Sequence, residues 1–282
     1  ASIYDTIDQV PHEYRTVADA AARRALIAEL AGSEWFCFDL ETTSLEPAAA
    51  EIVGIAFATV PHRACFVTFP EDQTAARAIL EEFRALFADP AVGKVGHNLK
   101  YDMGVLAWHG IEVRGELFDT MLAHYVIAPA LRHGMDELAR GYLNYSPVSI
   151  KTIIGDGKTI PERHIRQAPL DELAAYAAED ADVTVQLREC FLPLLAEHNA
   201  ERVFHDVETP LIPVLVAMEK EGINLDCEAL KSCSDELEDE LRILEQRVQD
   251  LAGIEFNLDS PKQLGEVLFD RLKLDAKAKK TK

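Results

Sequence analysis

Two carboxylates stand one residue apart at the end of an apolar stretch. Asp39 and Glu41 lie in the run WFCFDLETTSLEP, which covers residues 35–47 and begins as a β-strand. Side chains at positions i and i+2 of a strand point to the same face, so the two acids share one small volume. Their mutual repulsion costs free energy there unless solvent or a bound cation separates them. The simpler interpretation is a strand end with two solvated acids, and the more specific interpretation is a cation-binding site.

Two further segments carry polar residues on predicted helices. The run VGHNLKYDMGVL places Asp102 near the start of a helix that is otherwise apolar. The run YAAEDADVTVQL places Tyr176 and Asp180 four residues apart, and residues at this spacing share one face of a helix. Each of these residues alone is typical of a solvated surface. The neighbouring Glu179 and Asp182 point to other faces of the same helix, and we interpret them as solvated.

In this order and spacing, the three segments resemble the proofreading 3′→5′ exonuclease domain of the bacterial DNA polymerase I family, which uses four acids and a tyrosine. Residues 207–282, which include the run FNLDSPKQL, resemble the opening thumb helices of that family's polymerase domain. The resemblance implies three parts. They are an N-terminal linker and first helix over residues 1–29, the exonuclease domain over residues 30–205, and a truncated helical thumb segment over residues 206–282.

The resemblance implies a catalytic set made of Asp39, Glu41, Asp102, Tyr176 and Asp180, with two divalent metal ions, Mg²⁺ or Mn²⁺, as cofactors. These ions prefer carboxylate and water oxygens, and a pair of them about 4 Å apart can hold the attacking and leaving oxygens of a phosphoryl displacement. We hypothesise that Asp39 bridges both ions, that Glu41 and Asp180 complete one site, and that Asp102 holds the second. Tyr176 would orient the attacking water, because a phenol with a pKa of about 10 is a poor base near pH 7.

The resemblance also implies a substrate, the 3′ end of single-stranded DNA or a frayed primer terminus, and a nucleoside 5′-monophosphate as the product. The implied substrate contacts are Leu45, His97, Asn98, Lys100 and Tyr101. Leu45 would wedge against a base. Single strands bind through stacking and a modest basic groove rather than through sequence-specific contacts.

The net charge and the cysteine content limit which other kinds of function are compatible with the sequence. The net charge of −21 over 282 residues argues against a protein that coats nucleic acid by bulk electrostatics, but not against a local site where metal ions supply positive charge. Five cysteines without CxxC spacing are typical of free thiols in a reducing compartment. No run is long and apolar enough to span a membrane. We therefore expect a cytoplasmic, monomeric protein without membrane association.

The elements that must position the acids alternate between strands and helices. Three closely spaced strands, WFCFDL, EIVGIAFATV and RACFVTFP, predict an antiparallel meander. The run TAARAILEEFRALFAD predicts a helix that ends before Pro90. After it come the predicted strand KVGH, helix LKYDMGVLAWHG, strand IEVRGELFD and helix TMLAHYVIA. This alternation predicts an α/β fold, and the resemblance specifies an RNase H-like mixed sheet flanked by helices.

From about residue 206 the patterns are helical, which predicts a small all-α segment after the α/β domain. The run PLIPVLVAMEKEG predicts a helix that Gly222 stops. Apolar residues then recur at alternating three- and four-residue steps from Leu230 to Leu251, which predicts a long helix packing on another helix. The run DSPKQL predicts a capping box at the start of a further helix.

Two alternatives remain open. An RNase D-like RNA exonuclease shares the four acids and the tyrosine, but such enzymes carry helical appendages that differ from the thumb-like segment here. A non-catalytic scaffold or DNA-binding module of the polymerase is the other, although all five functional positions are filled. By the resemblance the parent chain is a DNA-directed DNA polymerase for replication and repair. These residues include no palm or fingers, so we expect no polymerisation from them.

Overall fold

The computed structural model describes residues 3–156, 158 and 163–274. The chain divides into two compact units, unit 1 over Ala1–Gly222 and unit 2 over Ile223–Lys282. Unit 1 contains a six-stranded sheet with helices on both faces. Within the described part of the chain, no helix combines the length and the apolar composition that crossing a membrane requires.

Six strands of unit 1 form one mixed sheet. Their bounds are β1, Glu13–Val17; β2, Trp35–Thr42; β3, Ile52–Val60; β4, Arg63–Thr68; β5, Gly93–Gly96; and β6, Leu117–Asp119. They lie side by side in the order β1-β4-β3-β2-β5-β6. The strands β2, β3 and β4 pair antiparallel, which confirms the predicted meander. Because β5 and β6 continue the sheet in parallel, the predicted mixed α/β class is also confirmed.

The helices of unit 1 connect and cover these strands. Their bounds are α1, Ala20–Ala31; α2, Gln73–Ala88; α3, Leu99–Trp108; α4, Thr120–Ile127; α5, Met135–Tyr142; α6, Ile150–Ile154; α7, Leu170–Glu197; α8, Glu201–Val203; and α9, Thr209–Glu221. A π-helical stretch, Phe204–Glu208, joins α8 to α9. The helices α2, α3 and α4 occupy the predicted stretches, and α2 ends before Pro90 because the residue preceding a proline avoids the helical region.

The two faces of the sheet bury different helices, because side chains alternate along each strand. Along β2, Phe36, Phe38 and Leu40 point into a core that they share with α1, α2 and α3. Cys37 points to the opposite face, into a core that it shares with α7. Both faces of β2 are therefore covered by helices.

The sequence patterns do not predict β1. Its residues fall within the range assigned to a linker and first helix, yet Glu13–Val17 pair parallel with β4. Leu26 and Leu30 of α1 are buried in the core beside the sheet. As an edge strand with mostly exposed side chains, β1 shows little apolar alternation. The sheet therefore begins before residue 30.

Most of the predicted strand IEVRGELFD is a connection. Only its last three residues, Leu117–Asp119, pair in the sheet. The N–H of Ile111 donates to the carbonyl of Leu106 at the end of α3, at 2.8 Å. Gly115 adopts a φ of +101°, where a Cβ would meet the Val92 carbonyl oxygen at 2.5 Å. The strand prediction was therefore wrong for this stretch, because nearby helix ends and turns bind its backbone before it reaches the sheet.

The helix α9 packs within unit 1, although the sequence analysis assigned residues from 206 onward to the thumb segment. Ile212 and Val216 are buried in the core that also holds α3. Glu219 of α9 forms an ion pair with Lys100 of α3, with 2.5 Å between Oε1 and Nζ. Because α9 buries its apolar face on α3, the division between the compact units falls after this helix.

Unit 2 is helical in its described residues. Its elements are α10, Cys227–Ala252; α11, Pro261–Gly265; and a π-helical turn, Glu266–Arg271. The long helix is confirmed, but leucines of its predicted seam, such as Leu237 and Leu241, expose more than half of their surface. The capping box forms in part. Ser260 Oγ accepts a hydrogen bond from the N–H of Gln263, whereas the Gln263 side chain accepts one from the N–H of Asn257.

Candidate active site

Asp39 and Glu41 lie near the end of β2, on the face that α7 covers. They follow Cys37 at two-residue steps, and Cys37 is buried on that same face. β2 pairs with β3 as far as Thr42 but with β5 only as far as Cys37. The two acids therefore extend past the end of β5, and Glu41 keeps only 7% of its surface exposed. The solvated interpretation of this acid pair does not hold, because Glu41 is buried and Asp39 is only partly exposed.

The long helix α7 brings the third acid to this pair. Asp180 is 9% exposed and follows Tyr176 by one helical turn. One oxygen from each of Asp39, Glu41 and Asp180 lies within 4.8 Å of the other two. Ala177 is fully buried, and such a small residue lets the helix approach the sheet closely. The fold thus gathers three carboxylates from two elements that are distant in the chain.

Asp102 is a fourth buried acid, held by the backbone of β2. It is 3% exposed, and its Oδ1 accepts a hydrogen bond from the N–H of Leu40 at 3.2 Å. Leu40 stands between the two acids of β2. Asp102 is outside the group of three whose oxygens meet within 4.8 Å, yet burial and then repulsion from Asp39 raise its pKa well above the usual range.

Burial raises the pKa of every carboxyl group in this cluster. The pKa of Asp39 rises to about 6 through loss of solvent. Loss of solvent and then repulsion from Asp39 raise the pKa of Glu41 and of Asp180 well above the usual range. Carboxylate oxygens are the ligands that hard divalent cations prefer, and a bound cation would offset this concentrated negative charge. The donor set therefore fits a divalent metal ion.

The Tyr176 side chain lies one helical turn before Asp180 on α7 and interacts electrostatically with its carboxylate. Burial, and then the charge of Asp180, raise the pKa of this phenol far above its ordinary value of 10.0. The phenol consequently stays protonated at neutral pH. It can donate a hydrogen bond beside the acids, but it cannot act as a base there.

Three of the implied substrate contacts surround the start of α3 and the end of β2. Leu45 is 94% exposed. Asn98, which precedes α3, has a φ of +68°, and its side chain forms no capping bond to that helix. Tyr101 donates its hydroxyl to the carbonyl of Ser44 at 2.5 Å. Leu45 and Asn98 are thus side chains that a ligand could reach, whereas the Tyr101 hydroxyl already has a partner.

The other two implied contacts, His97 and Lys100, serve internal interactions. The ring Nδ1 of His97 lies 2.9 Å from the hydroxyl oxygen of Thr120. Burial lowers the pKa of this imidazole to about 4, so it is neutral at pH 7. The ammonium of Lys100 is paired with Glu219. Both side chains therefore already have partners within the chain.

Asp119, which the sequence analysis did not single out, organises the edge of the site. It is 1% exposed. Its carboxylate accepts hydrogen bonds from the N–H groups of Asn98 and Leu99, at 3.1 and 2.7 Å, and of Met121 and Leu122, at 2.8 and 3.2 Å. It therefore ties the start of α3 to the start of α4. The usable signal was an acid directly before a predicted helix, which is typical of an N-cap.

Glu179 and Asp182 are buried, so their interpretation as solvated residues was wrong. Glu179 is fully buried and accepts a hydrogen bond from the N–H of Val148 at 2.8 Å. Asp182 is 2% exposed and accepts hydrogen bonds from the Tyr14 hydroxyl and the His62 N–H, both at 2.7 Å. The reason is that β1, α5 and α6 pack on α7 in addition to the central strands. Helical spacing alone cannot show that several faces are covered.

Comparison with known protein families decides what kind of site this is. A family model described as 3′-5′ exonuclease matches residues 14–207, which contain all four acids and Tyr176. The chain belongs to this 3′-5′ exonuclease family. A second model, described as DNA polymerase family A, matches residues 227–282. The resemblance identified from the sequence motifs is thereby confirmed.

The curated proteins whose sequences resemble this chain are bacterial DNA polymerases. The chain is 38% identical to DNA polymerase I of Pseudomonas aeruginosa over 98% of its own length. It is 36% identical to DNA polymerase I of Chloroflexus aurantiacus over 95% of its length. It spans 31% and 29% of these two relatives, less than a third of each.

Solved structures share the fold of the chain. The POL domain of Pol1 from M. smegmatis, in a complex with DNA primer-template and dNTP, aligns with a TM-score of 0.75 and 24% identity, over 96% of this chain and 42% of that one. Brucella melitensis NrnC with bound Mg²⁺ aligns with a TM-score of 0.58 and 16% identity, over 76% of this chain and 95% of that one. The expected nuclease-type fold, a mixed sheet flanked by helices, is confirmed.

Proposed function

We propose that this chain is the proofreading 3′→5′ exonuclease portion of a DNA polymerase I. It would hydrolyse the 3′-terminal phosphodiester of single-stranded or frayed DNA and release nucleoside 5′-monophosphates. The observation that carries this proposal is the meeting of three carboxylates, from Asp39, Glu41 and Asp180, within 4.8 Å at the end of a central strand. The names of the curated relatives and the polymerase match over residues 227–282 favour DNA over RNA.

In this proposal the acids hold divalent metal. Asp39, Glu41 and Asp180 would bind one ion, and Asp102, fixed beside them by the Leu40 amide, would help to hold a second. When bound, Mg²⁺ or Mn²⁺ would supply the positive charge that acidifies a water molecule and stabilises the leaving oxygen. The pKa of Asp39 near 6 means that this carboxyl is protonated in mild acid unless metal is present. Metal binding should therefore weaken as the pH falls below about 6.

Tyr176 would orient the attacking water in the same scheme. Its side chain lies one turn before Asp180 on α7 and interacts with that carboxylate, which belongs to the acid cluster. Because its pKa is raised, the phenol offers a hydrogen-bond donor that keeps its proton throughout the physiological range. Positioning a reacting group in this way accelerates a reaction without proton transfer to the side chain.

The decisive experiment incubates a 5′-labelled DNA single strand with the protein and Mg²⁺, Mn²⁺ or chelator. A denaturing gel should show a metal-dependent ladder that shortens from the 3′ end, and Asp39→Ala should abolish it. Glu71→Gln is the control, because Glu71 is exposed and does not belong to the acid cluster. Faster degradation of an RNA strand of the same sequence would favour the RNase D-like alternative. Intact strands with both metals, from a folded sample, would contradict the exonuclease proposal.

A further inference from the structure

The end of β2 and the loop that follows it contain three hydroxyl residues in a row, Thr42, Thr43 and Ser44, and each hydroxyl has a partner. The hydroxyl of Thr43 accepts a hydrogen bond from the N–H of Glu51 at 3.0 Å. The hydroxyl of Ser44 accepts one from the N–H of Glu46, also at 3.0 Å. Side-chain bonds to nearby backbone groups hold a loop in one conformation. The backbone is thus braced on both sides of Leu45.

The carbonyl of Ser44, directly before Leu45, is the centre of a second set of bonds. The Tyr101 hydroxyl donates to it at 2.5 Å, and the Thr42 hydroxyl lies 3.1 Å from it. The two hydroxyls are also in short contact with each other. Two hydroxyl protons serve these three contacts. The distances favour a chain in which the Thr42 hydroxyl donates to the Tyr101 hydroxyl and the Tyr101 hydroxyl donates to the Ser44 carbonyl. The longer contact, from Thr42 to the Ser44 carbonyl, is available when Tyr101 does not donate.

This arrangement holds an apolar side chain in solvent. Leu45 is 94% exposed, although it follows a carbonyl that the Thr42–Tyr101 hydroxyl pair holds. An exposed leucine on a mobile loop loses conformational freedom when it contacts a ligand, and binding is weakened by that loss. A braced loop removes most of the loss in advance. The structure therefore displays Leu45 as a preformed apolar contact.

We propose that Thr42 is a positioning residue. Together with Tyr101, its hydroxyl locks the Ser44 carbonyl and presents Leu45 to the base at the 3′ end of a strand. The identity of the ligand rests on the proposed exonuclease function, but the locking of the loop does not. The chemistry that Leu45 recognises is the flat apolar face of a terminal base, which all four bases share.

The locking is tested without DNA, by NMR relaxation of the Leu45 backbone amide. In the wild type we expect an order parameter of about 0.85, as in rigid backbone, and in Thr42→Val/Tyr101→Phe a value below about 0.6. Each single variant leaves one hydroxyl near the Ser44 carbonyl and should stay close to the wild type. Thr42→Ser keeps the hydroxyl and is the matched control. An equally rigid Leu45 in the double variant would overturn the proposal.

The functional half is tested by steady-state cleavage of a 5′-labelled single strand. We expect Thr42→Val/Tyr101→Phe to raise KM about 3- to 10-fold with little change in kcat, because only the preordering of a contact is lost. In a Leu45→Ala background the same pair of substitutions should have no further effect. A rise in KM that persists in that background, or a loss of kcat instead, would show that the hydroxyls act elsewhere.

The two measurements separate this inference from the exonuclease proposal. If the wild type cleaves no strand, the exonuclease proposal fails, and binding of a strand that ends in 3′-2-aminopurine then replaces the kinetic readout. The fluorescence of 2-aminopurine would change on binding. An equal weakening of this binding in Leu45→Ala and in the double variant would support the positioning role. Binding that neither variant alters would overturn it.

Discussion

Asp102 accepts a hydrogen bond from the backbone N–H of Leu40, with 3.2 Å between Oδ1 and N. Leu40 separates Asp39 from Glu41, so this bond sets the position of an α3 carboxylate relative to the two acids of β2. One backbone contact thus ties the α3 acid to the pair on β2, while burial raises the pKa of each member of the acid cluster. This combination makes the stability of the metal-free protein sensitive to pH and to single neutralising substitutions.

Asp39→Asn should stabilise the protein in the presence of chelator at pH 7. The pKa of Asp39 is about 6 in the folded chain, against an ordinary value of 3.8. Between these values the folded chain binds more protons than the unfolded chain, so stability falls as the pH rises through this window. An amide does not ionise, so the substitution removes this loss of folding stability, which is on the order of 1–3 kcal/mol. Urea unfolding at pH 7 and pH 4 measures it, and the difference between the variants should nearly vanish at pH 4.

The control for this prediction is Glu71→Gln, which neutralises an exposed acid outside the cluster and should shift stability by less than about 0.5 kcal/mol. Added Mg²⁺ should stabilise the wild type and Glu71→Gln, but not Asp39→Asn, by mass action on the folded state. If Asp39→Asn destabilises the chelated protein at pH 7, burial does not disfavour the charged form of Asp39 as the structure indicates.

Asp180→Asn and Asp182→Asn should have opposite effects although the residues are two positions apart. Asp180 belongs to the acid cluster, so its amide variant should lose strand cleavage and be no less stable than the wild type. Asp182 accepts hydrogen bonds from the Tyr14 hydroxyl and the His62 N–H. An amide there offers one acceptor fewer and should cost about 1–3 kcal/mol. Thermal melts and the gel assay on both variants check this, and loss of cleavage by a folded Asp182→Asn would contradict it.

Tyr176→Phe should slow cleavage about 10- to 100-fold while strand affinity and stability change little, because a positioned hydrogen-bond donor is lost but the ring remains. Single-turnover kinetics with a saturating strand isolate this step. Since the pKa of Tyr176 is raised far above its usual value, the rate of the wild type should show no inflection from this phenol up to about pH 9. Tyr125→Phe, which alters a half-exposed tyrosine on α4, serves as the control.

Asp119→Ala should destabilise the protein far more than removal of an ordinary helix cap. Four N–H groups at the starts of α3 and α4 would lose their acceptor, at a cost of about 2–5 kcal/mol. Asp72→Ala is the matched variant, because Asp72 caps α2 with a single bond to the N–H of Ala75. That cap should be worth about 0.5–2 kcal/mol. Urea unfolding compares the two, and equal losses would contradict the linking role of Asp119.

Local periodicity predicted the parts of this protein that depend on neighbours along the chain. The i, i+2 spacing of Asp39 and Glu41 placed both acids on one strand face, and the i, i+4 spacing of Tyr176 and Asp180 placed both residues on one helix face. The meander and most helices of the α/β part follow from the same periodicities. The family motifs added the expectation that these pieces form one site, and a domain boundary near residue 206 stays a prediction.

Tertiary packing decided everything that depends on distant partners. It placed Asp180 within 4.8 Å of Asp39 and Glu41, added β1 to the sheet edge, and enclosed Glu179 and Asp182, which look solvated from helical spacing alone. The physical reason is range. Backbone sterics and hydrogen bonding set which side chains share a face over a few residues, whereas burial and pKa depend on which other faces pack against that one.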